Sequence, residues 1–384
     1  MKIVIALDSF KGCIDSPHAC MAVQFSVMQE VPMSNIVTIH LSDGGEGMTE
    51  IITLTERGKS VWAHVHDARM KKRTAIYGLI NKDPLNHIVT SDMTTAVIDM
   101  ATTCGLGLIP KTKKNPETTT TYGFGEVILD ALNRGCKTLV LGIGGSSTND
   151  AGMGMLQALG ARIEFDETVA PDTIATGGNL SHIRQIDVTP LRDLFKDISI
   201  LVAADVKNPL FGPEGAAFVY APQKGANAEA VERLDAGLRH IFSLSGETQS
   251  LPGDGAAGGL GFALRTFLKA ELRPGIEIML DLTNFDEKIA DADLIITGEG
   301  KCDATTLNGK VPIGVLEHAK KRNIPVHVIA GIVEDADLLL EKGFAGVHCI
   351  NEGVDAPLSE MMQPQFAFQQ IQKTVSRLIR SLKS

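Results

Sequence analysis

The chain has 384 residues, more than one ordinary hydrophobic core accommodates, so two domains are expected. Hydrophobic residues make up 44% and charged residues 21%, a globular composition whose 38 glycines are clustered rather than periodic, which excludes collagen-like and linker-like chains. A formal net charge of -10 disfavours a nucleic-acid partner, which needs a basic face, but still allows local anion binding by backbone N–H groups.

The elements follow in chain order. Ile3 to Leu7 is a continuous apolar run, as expected of a strand buried on both faces. The N-terminal decapeptide MKIVIALDSF is too short in its apolar part for a secretion signal and reads as that first strand. Ser16 and Pro17 form an N-cap and first helical position, and Met21, Val23, Val27 and Met28 predict a partly buried helix to about Glu30. Ile36 to Leu41 predicts a second strand and completes a βαβ unit. Between about Val61 and Phe285 the pattern is less regular and richer in glycine, threonine and proline, with strands at Thr138–Leu141 and Ile198–Ala204.

The opening grammar returns late in the chain. A strand at Leu294–Thr297 ends in GEG, a helix ends at Val315–Lys321, and strands follow at Val326–Ala330 and Gly346–Ile350. A helix is expected at Asp335–Lys342 with Gly343 just past its end, and a helical stripe runs from Phe368 to Leu382. The expected architecture is α/β with two domains. One is a discontinuous Rossmann-like parallel-sheet domain, residues 1–62 plus 286–384. The other is an inserted α/β domain, residues 63–285. The cleft between domains is the default site.

Several strand ends lead into polar loops, where ligands of open parallel sheets bind. After the first strand comes Asp8-Ser9-Phe10-Lys11-Gly12, whose lysine suits a transferring phosphoryl group. After the second comes Ser42-Asp43-Gly44-Gly45-Glu46-Gly47, two carboxylates among three glycines, suited to Mg²⁺ or a substrate hydroxyl or simply to a solvated turn. Gly142 to Gly152 looks like a dinucleotide fingerprint, but Ser147 stands at the third glycine position and no acidic strand end follows. No Walker A loop is present either. The remaining set, Gly144, Gly145, Ser146, Asn149 and Asp150, suits a phosphate or polyol near a cation, or a tight turn capping a helix. Asp205 and Asn208 after a buried strand suit a metal or an Asx turn. GDGAAGGLG at 253–261 is a phosphate cradle, a hinge or a close packing face. His18, His40 and His327 fill strand or helix positions, and no Ser-His-Asp arrangement emerges. The six cysteines show neither C-x-x-C nor zinc spacing and suit a reducing cytoplasm, and no stretch is apolar enough to span a membrane. Together these loops point to an anionic small ligand, a divalent cation and phosphoryl transfer without a P-loop.

With these motifs in this order, the chain resembles the bacterial type I glycerate kinases nearly end to end. The resemblance is carried by Asp8 to Lys11, Ser42 to Gly47, Gly142 to Ser146, Thr148 to Asp150, Asp205-Val206 and Asn208 to Leu210. It continues through Pro222 to Ala226 (with Lys224), Gly255 to Gly259, Gly275 to Glu277, Thr297 to Gly300 (with Gly298 and Glu299), Asp303, and Gly309 to Pro312 (with Lys310). It implies the glycerate kinase type I fold and ATP- and Mg²⁺-dependent phosphorylation of D-glycerate to 2-phosphoglycerate. Lys11, Asp43 and Asp205 are then the expected catalytic residues, with Asp43 and Asp205 on the metal. The other loop residues named in these blocks, Gly298, Glu299, Gly300, Asp303 and Lys310 among them, are expected to bind substrate or nucleotide. The expected partners are a small hydroxy acid and ATP, with a homodimer left open and no nucleic acid or membrane. Leu7, Asp99, Phe124, Ala151, Lys207 and Thr305 depart from the family's usual residues, so a kinase for another hydroxy acid, or a silent sugar-acid-binding regulator, are the alternatives.

Overall fold

A computed structural model describes residues 1–383 apart from 43, 45, 46, 85–87, 90, 91, 93 and 308. The strands in chain order are β1 (Lys2–Leu7), β2 (Asn35–His40), β3 (Lys59–His66), β4 (Lys72–Ile80) and β5 (Lys82–Asp83). Next come β6 (Ile88–Val89), β7 (Thr95–Asp99), β8 (Thr138–Gly142), β9 (Arg162–Phe165) and β10 (Ile183–Asp187). The last are β11 (Ser199–Ala203), β12 (Glu271–Arg273), β13 (Leu294–Cys302), β14 (Val326–Val333) and β15 (Gly346–Cys349).

The chain divides into two compact units, Met1–Asp43 with Ile276–Ser384, and Gly44–Gly275. These limits differ from the expected cuts at 62/63 and 285/286. A cut at 62 would sever β3, which pairs antiparallel with β4 along its whole length.

The first unit is a five-stranded sheet in the order β15-β14-β13-β1-β2, with every pairing parallel. Ile3, Ile5 and Leu7 pack on one face against Val23 and Val27 of the helix Ser16–Glu30 and Ile371 and Val375 of the helix Pro364–Ser381. Each such side chain contributes about 1.5–3 kcal/mol by leaving water. The helix expected to be capped by Ser16 is capped by Asp15, whose carboxylate accepts the His18 N–H. Ser16 instead donates its hydroxyl to the Leu7 carbonyl, so its side chain is already spent inside.

A second departure is the GEG segment, expected as a loop after Thr297. It lies inside β13, which continues to Cys302 in register with β14. A Cβ at Gly298 would stand 2.4 Å from the Ile329 carbonyl, so the bare glycine is what lets the two central strands approach.

The second unit carries a six-stranded mixed sheet in the order β12-β11-β8-β7-β4-β3. Strands β7, β8, β11 and the edge strand β12 are parallel, and β3 and β4 add antiparallel. β5 with β6 and β9 with β10 form two-stranded ribbons. One large core gathers Ile98, Phe124, Leu139, Leu141, Leu156 and Phe262.

In the first unit, His318 on the helix Val311–Lys320 bridges two carboxylates, with Nε2 3.4 Å from Glu277 and Nδ1 2.9 Å from Asp286. The bond to Glu277, then that to Asp286, hold its pKa above the ordinary histidine value. The stabilisation is therefore complete below about pH 6.5 and lost as pH rises through the raised value. Urea denaturation at a series of pH values should show this slope, and His318→Gln should flatten it. A variant with the unchanged slope contradicts the assignment.

Candidate active site

The loop at Gly142 to Gly152 is pinned by two other segments, residues 100–106 and 119–121. The Met100 N–H donates to the Gly142 carbonyl and the Leu106 N–H to that of Gly145. Ser147 donates its N–H and hydroxyl to the Cys104 carbonyl, both at 2.8 Å, and Thr119 donates to the Ser147 carbonyl at 2.9 Å. Asp150 is fully buried and accepts the Thr121 N–H at 2.7 Å and the Thr121 hydroxyl at 2.8 Å. It also accepts the Gly152 and Gly154 N–H groups, both at 3.3 Å, at the start of the helix Met153–Leu159. Burial pushes the Asp150 carboxyl up, and these donors pull it back. In this geometry Asp150 is a loop anchor. Asn149 is equally buried, and among the described residues neither of its amide atoms has a hydrogen-bond partner.

The glycine-rich segment 253–261 is a close packing face for this loop. A Cβ at Gly258 would stand 2.1 Å from the Thr148 carbonyl, and its φ of +71° is itself glycine's domain. The Ala151 N–H donates to the Gly258 carbonyl, and Ala151 holds a left-handed φ of +51°, a conformation that a glycine would adopt without strain.

Lys224 completes the arrangement. It is 2% exposed, and its Nζ donates to the Ser146 hydroxyl at 2.7 Å and the Thr148 carbonyl at 2.8 Å. Both contacts are neutral oxygens. Burial pushes its pKa down to about 7, with the Asp150 charge partly opposing. Lys224, Ser146, Gly144, Gly145, Gly44 and Asp205 line one cavity of about 260 Å³ in the second unit. Tyr220 and Gln223 line it too, and neither was singled out in the sequence. The Asp205 carboxylate accepts the Gly275 N–H at 2.8 Å. Asn208 is committed elsewhere: it donates to the Glu214 carbonyl at 2.7 Å and accepts from the Tyr220 hydroxyl at 2.6 Å.

The first unit has its own crevice, of about 540 Å³, lined by Asp8, Ser9, Lys11, Glu299, Gly300 and Lys310 among others. Asp8 accepts the Ser9 N–H at 2.6 Å. Glu299 is 6% exposed, accepts the Thr306 hydroxyl at 2.6 Å and pairs with Lys310 at 3.0 Å. Burial pushes its carboxyl up against those two partners. Asp303 lies outside the crevice lining. The Thr305 hydroxyl foremost, then Lys301 and the Thr305 N–H, hold its carboxyl down at about 2.

The expected site residues accordingly gather in two cavities, one in each unit. Asn149, Asp150, Asn208, Gly298 and Asp303 are not on either lining. Asp43, Gly45 and Glu46 lie outside the described residues. The six departures, Leu7, Asp99, Phe124, Ala151, Lys207 and Thr305, line neither cavity among the described residues. Phe124 is a fully buried core residue, and Asp99 accepts the Thr49 N–H at 3.1 Å. Asp99 lines a separate cavity of the second unit, of about 720 Å³, with Thr49, Arg73 and Thr102. Among the described residues, no group of three or more His, Cys, Asp or Glu is placed to hold a metal, and no helix is long and apolar enough to cross a membrane.

The anchoring role of Asp150 is testable by Thr121→Val, which removes the donor to Asp150 and the acceptor of the Met155 N–H. It should cost about 2 kcal/mol in chemical denaturation, the price of stranding buried polar groups. Thr118→Val, at an exposed position, should cost less than about 0.5 kcal/mol. Equal costs would contradict the anchor.

A family model described as the glycerate kinase family matches residues 3–383. The chain is 41% identical over 364 residues to the glycerate kinase of Halalkalibacterium halodurans, covering 93% of this chain and 90% of that one. It is 39% identical over 356 residues to the glycerate 2-kinase of Escherichia coli strain K12, covering 91% and 90%. Its structure is similar to the crystal structure of a candidate glycerate kinase 2 from Salmonella typhimurium LT2, with a TM-score of 0.85 at 37% identity over 100% of this chain and 98% of that one. The chain belongs to the glycerate kinase family.

Proposed function

We infer that the protein transfers the γ-phosphoryl group of ATP to D-glycerate, giving 2-phosphoglycerate and ADP. The observation that carries the reading is Lys224. A lysine buried against neutral oxygens is a costly arrangement that a bound carboxylate would relieve. Its cavity of about 260 Å³ has room for a three-carbon hydroxy acid. The family relatives supply the substrate by name, glycerate, and the position in the Escherichia coli enzyme's name is the 2-hydroxyl.

Lys224 holds the substrate carboxylate, which fixes the hydroxyl, and Asp205 on the same lining is the carboxylate that receives its proton. The hydroxyl oxygen bonds to the γ-phosphorus while the bond to the β–γ bridging oxygen breaks, and ADP leaves with that electron pair. Asp205 also suits Mg²⁺, because that ion takes hard oxygens, with one or two carboxylates beside substrate phosphates, rather than an all-protein cage. When bound, Mg²⁺ would offset the phosphate charge.

The test is ADP release with MgATP and D-glycerate, with the product identified by ³¹P NMR. Glycerate-dependent turnover is expected, and Lys224→Met should lower kcat/KM for glycerate by about 100-fold or more, the cost of about 3 kcal/mol of lost charge-assisted binding. Only the ammonium form of Lys224 holds a carboxylate, so the KM for glycerate should rise above about pH 7, by up to roughly tenfold per pH unit. The charged groups that face it are Asp150, whose charge opposes the fall in the Lys224 pKa, and Asp205 on the same lining. Absence of glycerate-dependent turnover, or an unchanged Lys224→Met variant, overturns the reading.

A further inference from the structure

We propose that the crevice of the first unit takes the nucleoside half of the phosphoryl donor, gripping the face of the base rather than its edge. The proposal rests on the kinase reading above. Renumbered within the unit, its sheet runs 2-1-3-4-5, so the strand order reverses between β1 and β13. Ligands of open parallel sheets bind beyond the carboxyl ends at such a switch point. The crevice is there: Asp8 and Lys11 follow β1, Glu299 and Lys301 come from β13, and further lining comes from the ends of β14 and β15.

The lining changes character along the strand order. On the β1 and β13 side it is charged: Lys11, Lys301 and Lys310 stand beside Asp8 and Glu299, with Lys310 paired to Glu299 and Lys301 to Asp303 and Glu334, and the lysines are the chemistry for phosphates. On the β14 and β15 side it carries Ile332, Val333, Ile350, Leu358, Met361 and Met362, chemistry for a flat apolar ring. Three of these are large apolar side chains left in water: Ile332 is 46% exposed, Leu358 66% and Met362 38%. A volume of about 540 Å³ suits a nucleoside. The one side-chain amide on this side, Asn351, donates to the Gly331 carbonyl at 2.9 Å, its Oδ1 has no partner among the described residues but is buried out of solvent, and the Cys349 thiol points to the Gly331 oxygen. The wall therefore offers little that reads a base edge, and adenine, guanine and cytosine nucleotides should be used with KM values within about tenfold of one another, since a lost edge contact is worth about 1 kcal/mol.

The experiment compares wild type with Leu358→Asp and Met362→Asp, exposed positions at which folding should survive, checked by thermal melting. ADP binding is followed by calorimetry, steady-state KM values are measured for ATP, GTP and glycerate, and inorganic tripolyphosphate serves as a base-free competitor. The expected result is a rise of tenfold or more in the Kd for ADP and the KM for ATP, with the KM for glycerate and tripolyphosphate inhibition unchanged. Variants that turn over glycerate with unchanged ATP and ADP constants overturn this proposal and leave the kinase reading standing. Wild type that binds ADP with a Kd sensitive to both substitutions but never phosphorylates glycerate supports the pocket and overturns the kinase reading. A strict preference for ATP, beyond about 100-fold over GTP, overturns the face-only grip.

Discussion

A lysine ammonium held inside a protein by neutral oxygens sets the terms for everything around it. Lys224 is desolvated, and a hydroxyl and a carbonyl compensate only part of that loss. The loop that supplies those oxygens cannot drift, because a shift of even one ångström would break both bonds. Its rigidity comes from Asp150, which gathers five donors from two segments, and from Gly258, where any side chain would collide with the loop backbone. Most of the loop's polarity is thus spent on holding the two oxygens of Ser146 and Thr148 in place.

The same economy of position appears in the parallel sheets. Each delivers loops at the carboxyl ends of its strands, and those loops hold the charged side chains. In the first unit the reversal of strand order opens a crevice beside Asp8 and Lys11, and the later strands line it with apolar side chains. In the second unit β8 and β11 end beside one another, and their loops bring Ser146 and Asp205 onto one lining. Chemistry of phosphoryl transfer, which asks for placed charges more than for reactive groups, suits such scaffolds.

The strands buried on both faces were plain in the sequence: Ile3–Leu7 is an unbroken apolar run, Thr138–Leu141 and Val326–Ala330 are apolar but for Thr138 and His327, and all three stand within three residues of the observed limits. The polar loops after them were legible for the same reason. What misled was punctuation. Glycines in GEG read as a loop, yet two central parallel strands needed them to meet. Ser16 read as a cap, but its hydroxyl was taken by the Leu7 carbonyl and Asp15 served instead. Asn149 and Asp150 read either as ligand groups or as caps of a helix, and the bonds that Asp150 accepts from the Gly152 and Gly154 N–H groups are of the second kind. Lys224 drew notice only through the family motif, since one lysine after Pro222-Gln223 carries no local signal. The apolar wall at residues 332–362 was missed, although Asn351-Glu352-Gly353 after a strand is the same kind of strand-end turn that drew attention elsewhere.

The central claim is that an anion enters beside a lysine whose proton is only loosely held. Calorimetric titration of D-glycerate at pH 8, in buffers of different ionisation enthalpy, counts the protons exchanged on binding. The account predicts uptake approaching one proton per glycerate by the native chain and none by Lys224→Met. Binding with no proton uptake, or uptake that survives the substitution, would contradict it.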